Sequence, residues 1–290
     1  MTEVSCIVDC KNVLGEGPVW DPKAGALYWV DIKGQKVLRH TPKMGKTEEW
    51  SLPEEACSLA VREKGGLVVA LYGGFRLFDP STGRIEKIKD VSPDNPRIRM
   101  NDGKPDRKGR FWAGSIDDEL TDPLGTFYRL DPDLSCHAMQ EHVICSNGTA
   151  FSPDDKTLYF ADSGKETIWA YDFDIESGRI CNQRVFSGPG DAPGVPDGAT
   201  VDAEGHLWSA RWGGWCVVRY DPKGRIDRKV DLPLQQPTCP AFGGDKLDIM
   251  YMTSARWRLS EADLAKQPCA GGLCALDVGV KGLPEPYFKG

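Results

Sequence analysis

The chain has 290 residues, 40% of them hydrophobic and 27% charged, with a formal net charge of −7 at pH 7. That balance suits a globular protein with a large core and excludes the basic patch a nucleic-acid binder carries. No apolar run approaches the roughly 20 residues of a membrane span, and the start MTEVSCIVDCKN lacks the apolar core of a signal peptide, so a cytoplasmic protein with no membrane partner is expected.

Taken in chain order, one phrase recurs: a turn, a large apolar pair, then small or polar residues. It reads AGALYWVD (24–31), GGLVVALY (65–72), KGRFWAGS (108–115), DKTLYFAD (155–162), EGHLWSAR (204–211) and KLDIMYMT (246–253). The pairs begin at Leu27, Leu67, Phe111, Leu158, Leu207 and Ile249, with spacings of 40, 44, 47, 49 and 42 residues. Most are followed by a second short strand ending near Asp: FRLFD (75–79), TFYRLD (126–131), IWAYD (168–172), VVRYD (217–221) and LCALD (273–277). Short strands in units of roughly 45 residues, parted by Gly, Pro and Asp turns, are the mark of propeller blades. The sequence therefore predicts an all-β, six-bladed β-propeller, a single domain over residues 1–290. An irregular β-sandwich would not produce six aligned phrases. A strand at Val4–Val8 is expected to pair with the last unit and close the ring, since an open edge invites aggregation. The clear helical signal is Ser260–Lys266, where Ser260 and Asp263 have capping-box spacing, and it reads as a loop insertion.

The repeat gives meaning to the segment LGEGPVW (14–20). Counting back ten or eleven residues from each apolar pair reaches one slot per unit: Glu16, Cys57, Asn101, Asn147, Asp197 and Cys239. The first strand of a blade lines the channel, so these slots face one another across the axis. A single Asn-Gly or Asp-Gly is ordinarily a turn. Four oxygen donors at one repeat position, each with a glycine one or two residues later, point instead to a divalent cation. Glu16 is thus read as a metal ligand, and Cys57 and Cys239 as packing residues.

Ten cysteines without a CxxC pair read as reduced thiols, small buried side chains for the most part. The four histidines, His40, His137, His142 and His206, miss every slot, and there is no GxSxG. A Ser-His-Asp hydrolase and a closed structural zinc site are both disfavoured. GGFR and WGGW lack the strand–helix context of a phosphate loop.

The motifs GEGPVW, RMNDGKPDRKGRFWAGS, SNGTAFSPD and PDGATVDAEGHLW resemble those of the senescence marker protein 30/gluconolactonase family. The resemblance runs from about residue 10 to near 280, and bacterial sugar lactonases such as xylonolactonases look nearest, including WGGW (212–215) and CPAFGGD (239–245). It implies a six-bladed propeller with one divalent ion, hydrolysing sugar aldonolactones. By position it implies Glu16, Asn147 and Asp197 as metal ligands, Asp197 also as general base, and Arg99, Asn101 and Glu119 as substrate contacts. The implied ion is calcium first, with zinc, manganese or iron(II) also fitting such donors. The implied partner is a small-molecule sugar lactone, with a monomer as the default state. A propeller phosphotriesterase or aryl esterase would share the metal but favour an apolar pocket. A non-catalytic calcium-binding propeller would use the ion as a structural pin. Arg99 beside Asn101 favours a polyhydroxylated substrate.

Overall fold

The computed structural model describes residues 3–290. Among them, six four-stranded antiparallel sheets form in chain order, each made of consecutive strands except the last. Their inner strands are Gly15–Asp21, Ala56–Val61, Ile98–Pro105, Ser146–Phe151, Val195–Val201 and Pro237–Gly243. Each inner strand packs against the next, and the sixth packs against the first, so the sheets are blades around a closed channel. The recurring apolar pairs fall on the second strands, from Ala26–Asp31 in blade 1 to Ile249–Ser254 in blade 6.

Closure follows the sequence expectation. Val4–Val8 is the outermost strand of blade 6 and pairs antiparallel with Leu273–Leu276, Val4 opposite Leu276 and Cys6 opposite Cys274. The helix signal yields one short turn, Glu261–Leu264, capped where Ser260 accepts the Asp263 N–H. No helix of the described residues is long and apolar enough to cross a membrane. The cysteines are all unpaired, but only Cys57, Cys216, Cys239 and Cys274 are buried; Cys6 and Cys181 are exposed, because they lie on outer strands.

The turn residue that ends an inner strand fixes the blade. Asp106 is fully buried and accepts from the Arg110 side chain at 2.6 Å and the Trp112 indole N–H at 2.8 Å. Asp202 repeats this with the Trp208 indole and the Arg219 guanidinium, both at 2.8 Å. A buried carboxylate needs such partners, and here it holds the first two strands in one register while the indoles fill the space between blades.

Every inner strand is bulged at its slot. In blades 1 and 4 the ladder shifts between Glu16 and Val19 and between Asn147 and Ala150. In blades 3, 5 and 6 it shifts between Met100 and Gly103, Pro196 and Ala199, and Pro237 and Pro240. In blade 2 it shifts between Ala56 and Ser58. A bulge bends a strand and re-aims a side chain, which is how these residues come to face the axis. Gly148 supplies the left-handed φ of 58° that such a bend needs. Gly198 serves differently: a Cβ there would stand 2.4 Å from the Cys239 sulfur. Cys239 is therefore a packing residue, as the sequence suggests, and so is buried Cys57.

The last residues cross the opposite end of the channel. Lys281 O accepts from Ala203 N, Gly282 N donates to Leu247 O, and Phe288 N donates to Val61 O, all at 2.8–2.9 Å. Glu285 lies between these anchors and pairs with Lys104 on the third inner strand at 2.8 Å.

Candidate metal centre and active site

One cavity of about 160 Å³ opens at the slot end of the channel. Glu16, Arg99, Asn101, Asn147 and Asp197 all line it, so five of the six residues proposed from the sequence meet there. The inner strands supply all five, which gives them the rigidity of the ring.

A hydrogen-bond chain orients the amides. Arg99 donates to Asp118 Oδ1 at 2.5 Å and to Asn101 Oδ1 at 2.8 Å. Asn101 Nδ2 donates to Asn147 Oδ1 at 2.9 Å and to Ser146 O at 2.8 Å, and Asn147 Nδ2 donates to Ser163 Oγ at 2.8 Å. The Asn147 nitrogen is thus committed to Ser163, which turns its carbonyl oxygen to the cavity. That oxygen has a second lone pair beyond the one Asn101 uses.

The two carboxylates are poorly satisfied. Glu16 and Asp197 are buried, and each draws stabilisation from one backbone N–H, that of Gly17 and that of Gly198. Burial pushes both well above the usual carboxylate range; Asp197 and Asp102 push Glu16 further, and Asp102 does the same to Asp197, while Arg99 opposes both. Asp102 is itself anchored by the Thr149 N–H at 3.1 Å. Among the described residues no three His, Cys, Asp or Glu side chains converge as a metal site. The donor set is instead two carboxylates and an amide oxygen, a combination that fits a hard divalent cation completing its shell with water. Buried carboxylates that repel each other need such a counter-charge, so the residues present fit the ion.

The sequence profile of the SMP-30/Gluconolactonase/LRE-like region matches residues 14–256. The chain belongs to this family. Two curated relatives are each 36% identical to it: a 6-deoxy-6-sulfogluconolactonase of Pseudomonas putida, with 99% of both chains covered, and an L-arabinolactonase of Azospirillum brasilense, with 99% of this chain and 96% of the relative covered. A crystal structure of regucalcin, a calcium-binding protein of Agrobacterium tumefaciens, superposes with a TM-score of 0.95 at 29% identity, covering 99% of this chain and 97% of that one.

Against this SMP-30-type frame, Glu119 falls outside the cavity. Its side chain is 64% exposed and lies 3.4 Å from the Arg97 guanidinium. Its neighbour Asp118 lines the cavity instead, between Arg99 and Lys33. The cause is local. Asp117 is fully buried and accepts the N–H groups of Thr121 and Asp122 and the Arg97 guanidinium, winding the loop so that consecutive acids face apart. Trp212, from the WGGW segment, also lines the cavity; so do Lys33, Trp257 and Arg258, which were not legible as site residues, since they lie on two separate segments with no common spacing.

Asp118→Ala removes a charge-assisted bond to Arg99, a bond of a kind worth about 1.5–3 kcal/mol. It is expected to lower kcat/KM on the best lactone by about tenfold or more, whereas Glu119→Ala should change it less than about twofold. Steady-state kinetics of the two variants side by side checks this, and the reverse order would reassign the contact.

Proposed function

We propose that the protein is a metal-dependent hydrolase that opens sugar aldonolactones to aldonic acids. The observation that carries this reading is the meeting of Glu16, Asn147 and Asp197 with Arg99 and Asn101 in one cavity. Family membership and the lactonase names of the relatives support it.

Glu16, Asn147 and Asp197 would hold the ion, calcium first by the hardness of the donors. When bound, it would supply Lewis-acid polarisation of the lactone carbonyl and charge stabilisation of the oxyanion. Asp197 accepts the proton of the attacking water and returns it to the ring oxygen as the ester bond breaks, so the acid and a new hydroxyl are released together. Arg99 offers its fork of donors to substrate oxygens, held in place by Asp118. The Asn101 amide is fixed between Arg99 and Asn147, which sets a polar wall suited to hydroxyl groups.

The test is acid release from D-xylono- and D-gluconolactone above the spontaneous rate, as purified, after chelation, and with single metals added back. Chelation is expected to remove turnover and one ion to restore it. An ion present at 100 times its Kd also adds about 2.7 kcal/mol of stability, so the melting temperature should rise with the same ion. A melting shift without turnover on any lactone would favour the ion as a structural pin.

A further inference from the structure

The cavity lining carries three cations, Lys33, Arg99 and Arg258, and three carboxylates, Glu16, Asp118 and Asp197. Lys33 pairs with Glu55 at 2.8 Å and Asp118 at 3.5 Å, and Arg99 with Asp118 at 2.5 Å. Arg258 has neither an ion pair nor a hydrogen bond among the described residues; its guanidinium stands 6.0 Å from the Trp257 ring. Arg258 is therefore the cation of the cavity that no acid answers.

Its backbone is held in place at some conformational cost. The Leu259 N–H donates to Arg256 O at 3.0 Å, closing a turn in which Arg258 is the third residue, and its φ is 64°. Glycine or asparagine is favoured at such a position, because a larger side chain crowds its own backbone. The Arg256 and Trp257 N–H groups both donate to Val13 O, at 3.0 and 2.8 Å, which fixes the turn beside the strand that carries Glu16. The slot residues come from inner strands, whereas Lys33, Trp257 and Arg258 come from connections at the mouth. A lactone held by Arg99 and Asn101 near the slots would leave its far end for the connections at the mouth, among which Arg258 lies.

We infer that Arg258 is a specificity-determining residue and that the preferred substrates are aldonolactones bearing an anionic group, such as a carboxylate or a phosphate, on the end away from the ester. A guanidinium pairs with such oxyanions through two parallel N–H donors. The inference rests on the lactonase reading above.

The experiment compares D-glucono-1,5-lactone with two anionic analogues, D-glucaro-1,4-lactone for the carboxylate and 6-phospho-D-glucono-1,5-lactone for the phosphate, each corrected for spontaneous hydrolysis. The wild type should prefer at least one anionic lactone about tenfold or more in kcat/KM at low ionic strength, and the preference should shrink in 0.5 M NaCl. Arg258→Gly should cut that preference about tenfold through KM, and Arg258→Glu should reverse it. Glycine adopts a φ of 64° freely, so Arg258→Gly should melt no lower than the wild type; the lost preference then cannot be ascribed to unfolding. Equal or better use of the neutral lactone by the wild type, or a preference that Arg258→Gly leaves intact, overturns the inference while the lactonase reading stands. No turnover of any of the three lactones overturns both.

Discussion

Asp197→Asn should reduce kcat on a lactone the wild type opens by about 10³-fold, within the range that general-base catalysis contributes. Asparagine matches aspartate in shape and keeps an oxygen facing the cavity, but it cannot take a proton from water. The variant therefore separates two roles that alanine would remove together. It also removes a charge that Asp102 and Glu16 repel across the channel, so the metal-free variant should melt at or above the metal-free wild type. Loss of activity with retained or improved folding is the signature expected of a group kept for chemistry at the expense of stability. Asn147→Ala should behave differently, losing the ion-dependent rise in melting temperature along with turnover. Metal titrations followed by melting, beside stopped-assay kinetics, read both effects. Retention of more than about a tenth of the wild-type kcat in Asp197→Asn would give the base role to another group.

The fold was legible because its repeat is physical. Each blade must bury one large apolar pair against its neighbour, and that requirement returns roughly every 45 residues. The slots were legible for a related reason: Asp106 and Asp202 anchor the inner strand to the indole that follows, so the count back from the turn is fixed. The bulges at the slots left only faint traces, the glycines beside Glu16, Asn101, Asn147 and Asp197. What aims the slot side chains is the shift in the ladder, and no residue pattern stated it. Asp118 and Glu119 show the limit most plainly. Both are acids in one run, and which of them faces Arg99 depends on how Asp117 winds its loop through hydrogen bonds reaching five residues on. Arg258 and Lys33 meet at the cavity from blades 6 and 1, a neighbourhood created by ring closure alone.

The second large effect lies at the far end of the channel. Glu285→Gln should destabilise the protein by about 3 kcal/mol, the lower part of the range for breaking one partner of a buried ion pair. Lys104 and Glu285 are only 11% and 10% exposed at the side chain, and they are 181 residues apart in sequence, so their contact ties the last segment across the propeller. Burial alone would lower the Lys104 pKa, but Glu285, Cys239 and Asp102 together outweigh it, so the net shift is upward. A raised lysine pKa stabilises the fold throughout the range below the unfolded value near 10.4, so the loss should be fully present at pH 7. Asp102 remains beside Lys104 in the variant, which is why the lower figure applies. Replacing both partners, Lys104→Met with Glu285→Leu, should recover part of the loss, because it removes the stranded charge of the pair while Asp102 loses the Lys104 charge beside it. Denaturant unfolding of the wild type and the two variants makes the comparison. A cost under about 1 kcal/mol for Glu285→Gln would mean that water reaches the pair and that Phe288, packed without exposure between the blades, holds the segment instead. The cavity opens at the other end, so the turnover of folded Glu285→Gln should stay close to that of the wild type.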